Sequence, residues 1–167
     1  GWCDWSSDVC SSDLATISDG EAAVAVLGQS AFTTSTAATT QAGMNVPYGL
    51  AYDSANQRLF VAEGTSNRVT VFDVASMSNG ENAANVLGQS NFTTATAATT
   101  QAGMNAPRGL VYDSANNLLY VSQATGNRVT VYNVASISNG ENAVNVLGQS
   151  TFTGTAAATT QAGLNAP

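Results

Sequence analysis

The side chains that most often carry catalysis are scarce in this chain of 167 residues. It has no histidine and no lysine, and its four basic residues are all arginines. Without lysine there is no Schiff-base nucleophile and no Walker-type phosphate lysine. Without histidine the usual general base and the commonest metal ligand are missing. The sequence therefore predicts no catalytic constellation, no bound metal and no cofactor in this stretch.

Two of the arginines, Arg68 and Arg128, stand 60 residues apart, and each follows an asparagine, Asn67 or Asn127. We interpret the asparagines as hairpin-turn residues. The arginines are then expected to pair locally, Arg68 with Glu63 and Arg128 with backbone carbonyls. A pair exposed to solvent contributes only about 0.2–1 kcal/mol, so this reading is structural.

Four further residues recur at the same spacing. Asp53 and Asp113 each precede Ser-Ala-Asn, which indicates turn capping rather than metal binding, because calcium loops need several oxygen ligands at close, alternate spacing. Gly49 and Gly109 begin a predicted strand, where a small residue lets neighbouring backbones converge. We expect all four to serve the fold.

The candidate ligand-binding residues are Tyr48 and Arg108. They occupy the same position in two otherwise similar stretches, at the residue that enters a predicted strand. Positions that vary between similar repeats are free of the demands of the fold. We therefore expect a ligand, either protein or carbohydrate, to contact these two residues.

The elements that position these residues form an internal repeat. The motif VLGQS begins at Val26, Val86 and Val146, and a motif of the form QAGMN or QAGLN follows each time. The period is 60 residues, and about two thirds of the positions in 41–76 are identical in 101–136.

Each complete unit predicts four short strands. In the first unit they are GLAYD, RLFVAE, RVTVFDV and AANVLGQ, and the segments SANQ and GTSN between them suit tight hairpins. Several strands are apolar on both faces, which indicates small antiparallel sheets covered on both sides. The prediction is an all-β fold, a β-propeller fragment of about two four-stranded antiparallel blades with partial flanking blades. A two-sheet sandwich is the alternative.

Residues 47–74 and 107–134 resemble NHL repeats, whose pattern is Pro-x-Gly-apolar-x-x-Asp, an apolar strand similar to YVAD, and Asn-x-Arg-Val or Asn-Arg-Val. The resemblance implies a propeller that is usually six-bladed. The chain departs from the pattern after the second strand, where Glu63 and Gln123 replace the usual aspartate. The cross-strand pair of acid and arginine that the family pattern implies therefore lacks its acid in the second unit.

The segment 90–107 is longer than an ordinary connection between blades, and loops above about 12–15 residues are usually functional or partly structured. We expect Phe92 to pack at the sheet edge and Met104 to face inward. A short helical turn is predicted over 99–104, capped by Thr99 or Thr100. The segment is interpreted as a brace between blades, with a binding loop as the alternative.

The first 14 residues do not follow the repeat. They place cysteine and serine where a strand is due, and they lack the basic start and apolar run of a signal peptide. Cys3 and Cys10 alone are weak evidence for a disulfide or a metal site. The string resembles the translation of a short-read sequencing adapter, so we expect it to be foreign to the protein.

The remaining chain divides at the repeat boundaries. Residues 15–46 are assigned to the outer strand and connecting loop of a truncated blade, 47–106 to one NHL-like unit, and 107–166 to a second unit with a truncated end. Two complete blades cannot close a ring. We therefore expect an open, marginally stable arc that exposes apolar surface on both terminal sheet faces unless chains associate.

Composition restricts the function further. Only 9% of the residues are charged and the net charge is −7, so the basic surface that binds nucleic acid is absent. No apolar run approaches the roughly 18 residues that span a bilayer. The expected function is a non-enzymatic binding or scaffolding segment of a larger bacterial protein known from metagenomic DNA, secreted or at the cell surface.

The alternative function is part of a propeller enzyme, since propellers resembling this family include lyases and lactonase-like hydrolases. Such sites need ligands that point into the central channel. The predicted inner strands here offer glycine, leucine, alanine, valine and tyrosine, so the catalytic or metal residues of this alternative would be supplied by other blades.

Overall fold

The computed structural model describes residues 20–167, so the predictions for residues 1–14 lie outside the described residues. Within that range the chain forms eight β-strands and no helix, and the strands make two four-stranded antiparallel sheets. The all-β prediction is therefore confirmed. In this part of the chain the two sheets are not closed into a ring.

Strand order follows chain order in both sheets. The first sheet contains β1 (Pro47–Asp53), β2 (Arg58–Glu63), β3 (Arg68–Asp73) and β4 (Asn85–Leu87). The second contains β5 (Pro107–Asp113), β6 (Leu118–Gln123), β7 (Arg128–Asn133) and β8 (Asn145–Leu147).

The two sheets have the same register. β2 pairs with β3 from Arg58 opposite Asp73 to Glu63 opposite Arg68, and β6 pairs with β7 at the equivalent positions. The pairing of β1 with β2 is irregular between Pro47 and Leu50, and the same irregularity recurs between β5 and β6. Residues 60 positions apart therefore occupy equivalent places.

Over β2 and β3 both faces of the first sheet are covered, as the apolar strands predict, whereas Leu50 and Tyr52 on β1 stay exposed. Phe60, Ala62, Val69 and Val71 alternate along β2 and β3 and pack against the second sheet, where Leu119, Val121 and Tyr132 complete a fully buried core. On the opposite face, Val61 and Phe72 pack against Leu27 and Met44. Covering both faces removes the apolar side chains from water. This hydrophobic burial is the main contribution to the stability of two stacked sheets.

The side chain of Asp53 closes the turn between β1 and β2. One carboxylate oxygen accepts the backbone N–H groups of Ala55 and Asn56, both at 3.2 Å. The other accepts the Asn56 amide at 2.8 Å and the Arg58 guanidinium at 2.6 Å. Asp113 makes the same contacts with Ala115 and Asn116, although Leu118 replaces the arginine.

Asp53 is expected to make the stability of the fold sensitive to acid. Burial by itself raises the pKa of Asp53, but the hydrogen bonds from Asn56 and Arg58 bring it below its ordinary value of 3.8. The folded protein therefore binds this proton less readily than the unfolded chain does. The resulting stabilisation is present at pH values above 3.8 and is lost as the pH falls through the folded pKa.

The stability difference between the wild type and Asp53→Asn should accordingly be largest near neutral pH and shrink as the pH falls below 3.8, as measured by urea unfolding at each pH. Asp113→Asn is the matched control and should cost less, because no arginine contacts Asp113. A difference that stays constant with pH would contradict the assignment.

The connection between the two sheets differs from its prediction in one respect. Within 99–104 the backbone forms bends rather than a helical turn, so that prediction is wrong. Thr100 Oγ1 accepts the N–H of Gly103 at 2.9 Å, the contact expected of a cap, but no helical turn follows it. Gly103 instead forms a parallel β-bridge with Gly88, and glycine disfavours a helix. Phe92 is half-buried and Met104 is fully buried, as expected.

Candidate functional site

The two candidate ligand-binding residues lie side by side. Tyr48 and Arg108 are the second residues of β1 and β5, and these two strands are close neighbours. The guanidinium carbon of Arg108 lies 5.7 Å from the centre of the Tyr48 ring, which is within the range of a cation–π contact. Both side chains are exposed, Tyr48 by 57%.

The position of Tyr48 depends on two local features. The irregular register that follows Pro47 lets the residue leave the regular alternation of the strand. Its ring also lies against Gly64, where an added Cβ would be only 2.4 Å from the ring carbon Cε2. The ring therefore needs glycine beneath it.

The chain turns sharply before each of these strands. Val46 and Ala106 have φ angles of 55° and 50°, in the left-handed region that β-branched residues in particular avoid. Backbone hydrogen bonds hold both turns, from Gly64 to the Val46 carbonyl at 3.2 Å and from Ala124 to the Ala106 carbonyl at 3.3 Å. A strained backbone conformation of this kind persists only where the contacts around it hold it in place.

Gly49 and Gly109, at equivalent positions of β1 and β5, have different surroundings. A Cβ on Gly49 would lie 2.2 Å from the carbonyl oxygen of Arg108, so β1 and β5 approach closely at this point. A Cβ on Gly109 would meet only the Ser122 hydroxyl, at 3.1 Å, and that hydroxyl accepts the Gly109 N–H at 2.9 Å. The close approach at Gly49 is what brings Arg108 beside Tyr48.

Asn67 does more than form a turn. Its φ is 51°, as suits a hairpin asparagine, but its side-chain amide also donates to the Ala95 carbonyl at 3.0 Å. Its side-chain oxygen accepts the N–H of Ala106 at 2.9 Å, which fixes the turn just before β5. Asn127 bonds Thr155 and Ala166 in the same way, at 3.0 and 2.8 Å.

Arg68 and Glu63 form a buried pair, so the expectation of an exposed pair is wrong. Both side chains are 0% exposed. Arg68 donates to both carboxylate oxygens at 3.0 Å, and the carboxylate also accepts the Thr70 hydroxyl at 2.9 Å and the Asn45 N–H at 3.0 Å. The sequence spacing predicted the pairing but not its burial.

The remaining donors of Arg68 tie two loop segments to the sheet. Its guanidinium donates to the carbonyls of Thr40 at 3.1 Å, Gly43 at 2.9 Å and Phe92. The first two carbonyls precede β1 and the third follows β4. Because these segments cover the pair, water is excluded from it and the Glu63 carboxylate balances the buried charge of Arg68.

Arg128 is buried in the same way without a carboxylate. It donates to the side-chain oxygen of Gln123 at 3.2 and 3.0 Å and to the carbonyls of Thr100, Gly103 and Phe152. Burial lowers the pKa of the Arg128 guanidinium. The expected backbone partners are therefore present, and the Gln123 amide occupies the place of the acid.

The repeated arginines and the arginine at position 108 therefore differ in availability. Arg68 and Arg128 use their donors internally, whereas no hydrogen bond or ion pair engages Arg108 within residues 20–167. From the sequence alone, one sign distinguishes Arg108 from the other two: Arg68 and Arg128 occupy equivalent positions, whereas the equivalent of Arg108 is Tyr48.

Across residues 20–167 no three histidine, cysteine, aspartate or glutamate side chains are grouped so that they could hold a metal ion. The described part of the chain also has no helix of the length and hydropathy needed to cross a membrane. No protein-family model matches the chain, and no curated protein is significantly similar to it.

Proposed function

We propose that this chain is a non-enzymatic binding or scaffolding segment of an NHL-repeat β-propeller, in which the two sheets are successive blades. The repeat motif supports this proposal, as do two four-stranded sheets of the same strand order and register that pack face to face. The chain passes from the outermost strand of one sheet to the first strand of the next, which is how consecutive propeller blades are connected.

The ligand-binding part of the proposal depends on one observation, the exposed pair of Tyr48 and Arg108 where β1 and β5 meet. A tyrosine ring offers apolar area with a polar end. A guanidinium without internal partners can bind a carboxylate through two parallel hydrogen bonds. The ligand we propose is therefore a protein segment or a carbohydrate that carries a carboxylate group.

A secreted or cell-surface location is part of the same proposal. It is supported only by composition, because the chain is poor in charge and rich in threonine, alanine, asparagine and glycine. The loops that carry such residues lie at the rims of the sheets, where ligands usually reach repeat proteins.

The proposal is tested by measuring the binding of the full chain to panels of acidic peptides and uronic-acid oligosaccharides. For a ligand found in either panel, Tyr48→Ser and Arg108→Gln are each expected to weaken binding by about ten-fold. Tyr52→Ser is the matched control, because Tyr52 lies on the same strand and is similarly exposed, by 54%. No binding in either panel, or an equal loss in the Tyr52 variant, would reject the assigned site.

A further inference from the structure

The chain contains two Asn-Gly pairs, Asn79-Gly80 and Asn139-Gly140, at equivalent positions of the repeat. Each pair precedes the last strand of its sheet, β4 or β8, and each glycine has a φ of 68°. Asparagine followed by glycine favours such turns. It is also the pair in which asparagine most readily loses its side-chain amide, because glycine has no Cβ to shield its own backbone nitrogen. Both pairs are therefore candidates for a modification that needs no enzyme.

Deamidation of such a pair proceeds in two steps. The backbone nitrogen of the glycine attacks Cγ of the asparagine, a C–N bond forms, and the side-chain amide leaves as ammonia with the proton of the glycine N–H. The product is a cyclic imide. Water then opens the imide, giving aspartate when the new C–N bond breaks and isoaspartate when the original peptide bond breaks. Water is the sole co-reactant.

Both reacting groups of Asn139-Gly140 are held by Val86. This valine belongs to residues 86–106, which lead from the first sheet to the second and which we call the second connector. The Gly140 N–H donates to the Val86 carbonyl at 3.0 Å, and Asn139 Oδ1 accepts the Val86 N–H at 3.0 Å. The glycine nitrogen therefore cannot turn toward Cγ of Asn139 while these two hydrogen bonds persist.

The other pair is held in the same way by the first connector, residues 26–46. The Gly80 N–H donates to the Val26 carbonyl at 3.1 Å, and Asn79 Oδ1 accepts the Val26 N–H at 2.9 Å. The connectors also cover the glycines closely. An added Cβ would lie 3.1 Å from Cα of Ser30 at the first glycine and 3.0 Å from the equivalent Cα at the second. Each connector thus both binds and shields the nitrogen that would react.

A glutamine fastens each connector beyond the Asn-Gly turn. Gln101 donates its side-chain amide to the Ala143 carbonyl at 2.8 Å, and its own carbonyl accepts the Ala143 N–H at 3.0 Å. Gln41 makes the same two bonds with Ala83, both at 2.9 Å. Loss of either glutamine side chain should loosen one connector and leave the sequence of the Asn-Gly pair unchanged.

We propose that the two Asn-Gly pairs are latent sites of self-modification, which deamidate only when the docked connector opens. While a connector is docked, the glycine nitrogen and the asparagine side chain stay bound to one valine. Local opening frees both groups at once. The rate of deamidation then follows the population of the open connector, because opening and closing are fast compared with the chemistry.

The two products have different consequences for the joint between the sheets. Aspartate at position 139 keeps the backbone length and an oxygen in the place of Oδ1, so the bonds to Val86 re-form. Isoaspartate adds a methylene group to the backbone and shortens the side chain, so the carboxylate and the Gly140 N–H no longer reach Val86 together. The isoaspartate form therefore keeps the second connector released. The inference does not depend on a ligand at Tyr48 and Arg108.

The test is incubation of the full chain at neutral pH and 37 °C, followed by digestion and mass spectrometry of the peptides that contain each pair. A synthetic peptide of residues 136–144 gives the rate without a connector. Asn139 in the full chain is expected to deamidate about ten-fold more slowly than in the peptide, because two hydrogen bonds must break first. Equal rates in the chain and the peptide would overturn the proposal.

Variants of the two glutamines assign the protection to the connectors. Gln101→Ala should raise the rate at Asn139 about five-fold and leave the rate at Asn79 unchanged. Gln41→Ala should do the reverse, so each variant is the control for the other. The proposal fails if either variant raises both rates equally, as general destabilisation would, or if neither variant raises any rate.

The consequence of isoaspartate is measured separately by hydrogen exchange at the Val86 amide. Chromatography separates the aspartate and isoaspartate forms of the aged chain. The isoaspartate form should exchange this amide about ten-fold faster than the unmodified chain, since Asn139 no longer binds it. Asn139→Asp reproduces the other product and should leave the exchange rate nearly unchanged. An isoaspartate form that exchanges as slowly as the unmodified chain would show that the connector stays docked, which contradicts the release proposed here.

Discussion

Replacing Glu63 by alanine is expected to destabilise the folded chain by about 3–5 kcal/mol, because the buried guanidinium of Arg68 would lose both its counter-charge and the acceptors of two of its hydrogen bonds. Both side chains are 0% exposed, so water does not replace the lost partner. The variant also removes the acceptor of the Thr70 hydroxyl and of the Asn45 N–H. The measurement is urea unfolding followed by circular dichroism.

The second repeat unit supplies the control for this prediction. Gln123 satisfies Arg128, Asn105 and Thr130 with an amide, so Glu63→Gln should keep most of the contacts and cost only about 1 kcal/mol. The reciprocal change, Gln123→Glu, should stabilise the chain by giving Arg128 a carboxylate. If Glu63→Ala lowered the free energy of unfolding no more than Glu63→Gln does, the hydrogen bonds to the buried Arg68 would not contribute the stability assigned to them.

Gly49→Ala is expected to destabilise the packing of the two sheets by about 1–3 kcal/mol, the usual cost of overfilling a tightly packed site. The new Cβ would lie 2.2 Å from the carbonyl oxygen of Arg108, and backbone cannot rotate away as a side chain can. β1 and β5 must then separate. The same urea titration measures the loss.

Gly109→Ala is the matched substitution in the next unit. Its Cβ would meet only the Ser122 hydroxyl at 3.1 Å, which needs to shift by only a few tenths of an ångström and can keep its hydrogen bond to the N–H of residue 109, so the change in stability should stay within about 0.5 kcal/mol. A similar loss of stability in both variants would mean that alanine destabilises its own strand, and that the close approach of β1 to β5 is not the cause.

The strands and turns of this protein could be predicted from sequence because they depend on neighbouring residues. The period of 60 places equivalent strands, and turn residues such as Asn67 and Asp53 mark where each strand stops. Apolar residues on both faces indicated sheets covered on both sides, and Phe60 and Val61, adjacent on β2, pack into the two separate cores. The helical turn over 99–104 was predicted wrongly because Gly103 pairs there with Gly88, which lies 15 residues earlier, and local sequence does not show that contact.

The chain composition and spacing by themselves determined that Arg68 pairs with Glu63 across a hairpin, that Asp53 caps a turn, and that Tyr48 and Arg108 are equivalent positions. Only the tertiary structure decided that the first pair is fully buried, because the carbonyls that cover Arg68 come from Thr40, Gly43 and Phe92, more than 20 residues away. It also decided that Tyr48 and Arg108 touch, since that contact depends on the approach of two backbones at Gly49. Pairing between neighbours follows from strand geometry, whereas burial and contact between repeats depend on how distant segments pack.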